Sequence, residues 1–307
     1  MKDIIRFGII GCGDVTEVKS GPGFQKAERS ALVAVMRRNA ALAEDYARRH
    51  GVPRWYADAR QLIEDPEVDA VYIATPPGSH MEYTLAAAKA GKPVYVEKPM
   101  ALNAAQCEEM IAACREAGVP LYVAYYRRAL PRFLKVKELL DSGAVGEIRF
   151  VTTLHYQPAP EVRDETIPWR LQPEVSGGGL FYDLACHTLD LLDFLLGPIA
   201  EAQGFASNQQ GKFAGIEDTV TGTYRFESGI HGTGTWCFSA FGYEDRNEVI
   251  GSKGKLVFST LGHEPVRLET SEGTELFPFE RPQHIQQPLI QTVVNDLLGL
   301  GVCPSTG

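Results

Sequence analysis

Five short apolar runs, Ile4–Ile10, Leu32–Met36, Ala70–Ala74, Val94–Glu97 and Leu121–Ala124, alternate with helical stretches through the first 124 residues. That alternation most constrains the fold. Strands separated by helix-length crossovers pair in parallel, and a parallel sheet must be covered by helices. The helices carry their own punctuation. Ala40–His50 stops at Gly51-Val52-Pro53, Met81–Ala90 at Gly91, and Ala104–Ala117 at Gly118. Asn103-Ala-Ala-Gln106 is a variant of the capping box at the start of the third. Residues 1–125 therefore read as a doubly wound α/β domain.

After Tyr125 the pattern changes. A helix at Pro131–Asp141 and a strand at Glu147–Tyr156 lead through a Pro-rich loop to one long helix, Leu180–Leu196, closed by Gly197-Pro198. Strands follow near 199–209, 218–227, 230–241, 245–251 and 255–259, with no crossover helix between them. Residues 126–307 are thus expected to form an α+β domain with an open, largely antiparallel sheet and a helix on one face. The free face suits a homodimer or homotetramer.

Charge and composition narrow the function class. With 30 Lys+Arg against 39 Asp+Glu, the net charge of −9 opposes binding to nucleic acid. The densest apolar patch, Leu191–Leu196, is broken by Asp193, far short of a membrane span. Six cysteines form no CxxC pair, which speaks against zinc and disulfides and for a reducing compartment. The N-terminus lacks the apolar core of a secretory signal, so the expected location is the cytoplasm.

Chemistry concentrates at the ends of the apolar runs. Gly8-Ile-Ile-Gly11-Cys-Gly13-Asp14-Val15-Thr16 falls where the first strand turns into a helix. Gly11 permits the tight turn, and Gly13 lets backbone amides approach a pyrophosphate held by the positive end of the next helix. A plain chain reversal is the alternative. The third position, usually Gly or Ala, is Thr16. The second strand ends in Arg37-Arg38, with no acid for a ribose 2′-hydroxyl, and guanidinium groups favour a 2′-phosphate, hence NADP over NAD. The bland reading is two solvated charges at a helix start.

Thr75-Pro76-Pro77-Gly-Ser-His80 and Glu97-Lys98-Pro99 follow strands on the same sheet edge, where ligands of such sheets bind. Both segments are cofactor candidates, although His80 also fits a structural hydrogen-bonding residue near a helix start. Lys98, between an apolar strand and a proline, is a candidate for holding a reacting hydroxyl; a surface lysine is the alternative. On the long helix, Asp183, His187 and Asp190 share one face at about 100° per residue, behind the triplet Gly177-Gly-Gly179. An imidazole beside a carboxylate can pass a proton. A core histidine and a metal site are the rival readings, and two carboxylates and one imidazole on a single helix make a weak metal cage.

Gly11-Cys-Gly13, Glu97-Lys98-Pro99, Trp169-Arg170 and Gly177-Gly-Gly179…Asp183…His187, in this order, resemble the Gfo/Idh/MocA oxidoreductases over essentially the whole chain. The resemblance implies an N-terminal Rossmann domain, a C-terminal sheet used for oligomers, and NAD(P)-dependent redox chemistry on sugars, cyclitols or related diols. It implies Lys98 as catalytic lysine, His187 as acid–base residue and Asp183 as the carboxylate positioning both substrate and lysine. It further implies Arg127 as a substrate contact, and Trp169 and Arg170 as residues reaching the cofactor. His155, Tyr156 and Trp236 are candidate linings for substrate. Thr16 departs from the family pattern, and relatives generally continue into another helix beyond Cys303-Pro-Ser-Thr-Gly307. Two other outcomes share the fold: a glycosidase working by transient oxidation and elimination on a retained NAD, and a non-enzymatic NAD(P)-binding regulator.

Overall fold

A computed structural model describes residues 3–161, 167–213 and 215–307. The chain divides into two units, the first comprising residues up to 130 together with 282–307, and the second residues 131–281.

The first unit holds six strands, β1 (Ile5–Ile10), β2 (Ser30–Met36), β3 (Arg54–Tyr56), β4 (Ala70–Ile73), β5 (Val94–Val96) and β6 (Leu121–Val123). All pair in parallel in the order β3-β2-β1-β4-β5-β6, so the strand order reverses between β1 and β4. The expected Rossmann sheet is present. β3 is an addition: three residues, with Trp55 40% exposed, carry no apolar run to announce them. Every residue of β4 is buried, as two covered faces require. Ile10, Met36, Val71, Ile73, Val94 and Val96 belong to one hydrophobic cluster. Phe7, Phe24, Tyr72 and Tyr95 form a second, with successive ring centroids 4.6, 5.1 and 5.0 Å apart.

The helices are α1 (Asp14–Val18), α2 (Gly21–Lys26), α3 (Ala40–His50), α4 (Ala59–Glu64), α5 (His80–Lys89) and α6 (Ala104–Glu116). The cap expected at Asn103 is present, and Asn39 adds another. Asn39 Oδ1 accepts from Leu42 N, Asn103 Oδ1 accepts from Gln106 N, and Gln106 Oε1 returns to Leu102 N. α1 is stapled to α3: Arg49 donates to both Glu17 oxygens at 2.8 Å, and His50 Nε2 lies 2.7 Å from Oε2. Arg49 first, then His50, holds the Glu17 carboxyl down at about 2. A depressed carboxyl contributes stability above its unfolded value, near 4.5, and loses it as pH falls toward 2. Glu17→Gln should therefore flatten the acid limb of the urea midpoint between pH 4.5 and 2. Identical limbs in variant and parent remove this account.

The second unit opens with α7 (Pro131–Asp141) and β7 (Ile148–Tyr156), and continues with α8 (Pro173–Ser176). The long helix expected at 180–196 is two structures, a π-helical turn at Phe181–Ala185 running into α9 (Cys186–Leu196). Then come β8 (Ile199–Ser207), β9 (Thr219–Phe226), β10 (His231–Cys237), β11 (Glu244–Gly251), β12 (Gly254–Phe258), β13 (Val266–Thr270) and β14 (Gly273–Phe277). They form one open sheet, β14-β13-β12-β11-β7-β10-β9-β8, antiparallel except for β10 with β7. Alternation sorts its faces. On β7, Val151, Thr153 and His155 are buried, while Phe150 and Leu154 are exposed. Phe205 on β8 is 85% exposed.

The boundary expected at 125/126 needs a correction at the far end of the chain. α10 (Gln287–Leu297) and the tail after it belong to the first unit. Leu289, Ile290, Val293 and Val294 are fully buried there, each worth ~1.5–3 kcal/mol against exposure. Gly23 of α2 lets α10 close in, since a Cβ there would lie 3.0 Å from Ile290 Cδ1. The tail then lies along β6, with Ser305 O accepting from Val123 N and Leu121 O accepting from Gly307 N. No helix among the described residues is long and apolar enough to cross a membrane.

Candidate active site

In the first unit the candidate residues gather at the C-terminal ends of β1, β2, β4 and β5. Gly11 has φ +93°, and a Cβ on it would stand 2.7 Å from Thr75 Cγ2 and 2.9 Å from Thr75 N. Only glycine lets the β1 and β4 ends meet so closely. Gly13 differs: its φ is −120°, and a Cβ there would meet nothing nearer than Gly11 O at 4.0 Å. The space beside Gly13 fits a close-lying pyrophosphate. Thr16 takes the third position by satisfying itself, its hydroxyl donating to Gly13 O at 2.7 Å. The helix-dipole expectation needs correction, because α1 has only five residues, beginning with exposed Asp14 and half-buried Val15. Backbone amides, and not a long helix, are what this turn offers an anion.

Arg37 leans onto the same turn, its Nη1 3.4 Å from Cys12 O, while Arg38 is exposed. Thr75, Pro76 and Pro77 form a braced loop. Ser79 Oγ donates to Thr75 Oγ1 at 2.8 Å, and a 3-10 turn runs through Pro77–Ser79. His80, expected among the cofactor residues, is fully buried, with Nε2 2.7 Å from Thr75 O and Nδ1 3.1 and 3.2 Å from Pro99 O and Met100 O. Burial is the main cause of its lowered pKa. Its ring ties the β4 loop to the β5 loop, the structural hydrogen-bonding role that the sequence also allows.

Glu97 likewise turns inward. Its carboxylate is buried and accepts from Tyr72 Oη at 2.5 Å and from Gln286 Nε2 at 2.6 Å. Lys98 is half-buried, followed by a cis peptide to Pro99. Arg127, expected at the substrate, is 6% exposed with its guanidinium 4.8 Å over the Tyr126 ring.

In the second unit the Trp169-Arg170 pair and Asp183 come together. Arg170 stacks on Trp169 at 4.4 Å, and its Nε donates to Asp183 Oδ2 at 3.2 Å. The Arg170 head expected to reach cofactor phosphates thus engages the carboxylate expected to position substrate. Asp183 sits in the π-helical turn, and His187 is buried on the first turn of α9. Extra turns of this kind displace side chains from the regular helical register. The last glycine of the triplet makes room for a side chain: a Cβ on Gly179 would collide with Ile216 Cγ2 at 2.2 Å.

His155 and Trp236 are register partners on β7 and β10. His155 is 2% exposed, its ring 5.6 Å from Phe238 and 5.9 Å from Tyr243. Burial lowers its pKa, and Asp245 partly opposes that. Trp236 lies over Gly234 and meets Phe181 edge-on at 5.3 Å. Tyr156 is half-buried at the end of β7, and residues 162–166 of the following loop lie outside the described residues. Sequence reasoning missed Gln286 on Glu97 and the glycine row Gly204, Gly222, Gly234 across β8, β9 and β10. The row was visible only as glycines inside strand patterns.

Residues 5–125 match the oxidoreductase family with an NAD-binding Rossmann fold, and residues 133–257 match the GFO/IDH/MocA C-terminal domain. Oxidoreductase P35 of Formosa agariphila is 40% identical over 97% of this chain and 92% of its own. The chain belongs to the Gfo/Idh/MocA oxidoreductases. Another member, 1,5-anhydro-D-fructose reductase of Ensifer adhaerens, is 30% identical over 98% of this chain and 91% of its own. The crystal structure of aldose-aldose oxidoreductase from Caulobacter crescentus, complexed with glycerol, superposes with a TM-score of 0.87 at 27% identity, covering 99% of this chain and 92% of that one. As a Gfo/Idh/MocA member the chain is an NAD(P)-dependent dehydrogenase or reductase, with its nicotinamide dinucleotide domain in the first unit.

Proposed function

We propose that this oxidoreductase moves a hydride between NADP and a hydroxyl or carbonyl group of a polyhydroxylated substrate, a sugar, cyclitol or related diol. The observation that carries the reading is the Gly11–Gly13 turn at the reversal of strand order, with Arg37 leaning on it and open space beside Gly13. The turn amides would hold the pyrophosphate, Arg37 and Arg38 the 2′-phosphate, and the Thr75–Pro77 loop would border the dinucleotide. When bound, the nicotinamide supplies a hydride acceptor or donor. The chain's own groups handle the proton: His187 takes it from the hydroxyl, Lys98 stabilises the developing alkoxide, and Asp183, held by Arg170, orients the substrate. The sugar-derived names of two relatives support this substrate class.

Calorimetric titration with NAD, NADH, NADP and NADPH tests the cofactor, and absorbance at 340 nm with 1,5-anhydro-D-fructose, aldoses and myo-inositol tests the chemistry. Failure of all four nucleotides to bind ends the reading. Arg37→Asp should weaken NADP binding about 10- to 100-fold relative to NAD, the loss of a charge-assisted pair of ~1.5–3 kcal/mol. An unchanged ratio of affinities would leave no basis for the NADP preference.

A further inference from the structure

The motif Glu97-Lys98-Pro99 places a buried acid directly before the lysine assigned to the reacting hydroxyl. A carboxyl group with 6% exposure needs partners to be tolerated there. It has three donors. Tyr72 Oη and Gln286 Nε2 serve Oε1, and the Lys98 backbone N–H donates to Oε2 at 3.2 Å. Gln286 is 1% exposed, stands immediately before α10, and comes from 189 positions further along the chain. The Glu97 backbone N–H also donates to Ile73 O at 2.9 Å, at the end of β4. The acid is thus fixed from the sheet, from an aromatic side chain and from the C-terminal segment. It is felt around it: Tyr72 and Tyr95 are raised well above their ordinary values, by burial first and then by Glu97. His80 is the other titratable ring in its field.

We propose that Glu97, clamped by Tyr72 and Gln286, is the positioning residue of Lys98, fixing its backbone through the Oε2 bond and placing a negative charge one residue behind its amine. The Glu97 carboxylate itself is taken up by protein donors. The inference rests on the reading of Lys98 given above and deepens it. Gln286 makes the C-terminal segment part of the site's support, although it carries no chemistry of its own.

The test needs no substrate. Competitive acetylation of the full chain with acetic anhydride across a pH series, read at the Lys98 peptide by mass spectrometry, reports the midpoint at which the amine becomes reactive. Glu97→Gln keeps the shape and removes the charge, so the midpoint should fall by roughly 0.5–1 pH unit, and Glu97→Asp should bring it back toward the parent. Gln286→Met keeps the charge and cuts the tether; hydrogen exchange of the 95–102 peptide should quicken about tenfold while α6 is unchanged. A folded Glu97→Gln protein with an unmoved Lys98 midpoint overturns the proposal. If that variant does not fold, the Gln286→Met exchange decides alone, and an unaltered 95–102 peptide overturns it. Full turnover in Lys98→Ala would instead sink the functional reading and leave the midpoint shift standing.

Discussion

His187→Asn should lower turnover by ~10²–10⁴ while leaving dinucleotide affinity within about twofold, because a positioned general acid–base group contributes on that scale. The argument starts from burial. A histidine 4% exposed on the first turn of α9 has been taken out of water, and it follows a π-helical turn that carries Asp183. Asp183 is held by Arg170, which stacks on Trp169, so the carboxylate is oriented before any substrate arrives. The glycine turn and Arg37 belong to the other unit, and the substitution leaves them intact. Initial rates at 340 nm and calorimetry with NADPH separate the two effects. Lys98→Ala is expected in the same range. Full activity in both variants would show that the proton is handled elsewhere.

Gly11→Ala should cost about 2–6 kcal/mol of stability, with most of the dinucleotide affinity lost. Two terms combine: ~1–3 kcal/mol for an L-residue held at φ +93°, and ~1–3 kcal/mol for overpacking against Thr75 N and Ala74 C, at 2.9 and 3.0 Å, which are backbone atoms and cannot swing away. Gly13→Ala is the informative contrast. Its backbone is in the ordinary extended region and its new Cβ would meet nothing nearer than Gly11 O at 4.0 Å, so stability should change by less than ~1 kcal/mol. The methyl would nevertheless occupy the space proposed above for the pyrophosphate, and affinity should fall at least tenfold. Urea denaturation and nucleotide titration on the pair give four numbers. A Gly11→Ala protein as stable as its parent, or a Gly13→Ala protein that binds as well, contradicts the account of the turn.

Much of the architecture was legible because its signals are local. Apolar runs bounded by glycine and proline announced five parallel strands, and Asn103 announced the start of α6. α10 escaped, although Leu289, Ile290, Val293 and Val294 make a helical stripe, because Thr292-Val293-Val294 reads equally well as strand. β13 and β14 escaped because charge dilutes them: Arg267 and Glu269 alternate with apolar residues, and every residue of Gly273–Leu276 is exposed. At the candidate site, the residue types were legible and their protein partners were not. His80 was open to a cofactor or a structural reading and its ring bonds Thr75 O, while Glu97, a cofactor candidate, takes Tyr72 and Gln286 as partners.

By itself the amino-acid order determined the strand and helix periods, the tight turn at Gly11 and the absence of an acid after β2, and it singled out Lys98, Asp183 and His187 as candidates, since each is a property of a few neighbouring residues. The tertiary structure alone decided that α10 returns to the first unit, that Gln286 caps Glu97, that Arg170 claims Asp183 and that a π-turn precedes His187. Those outcomes depend on which buried polar group finds its partner across tens to hundreds of residues. Hydrogen-bond satisfaction in a packed interior is settled by the whole fold at once, and no short window of sequence contains it.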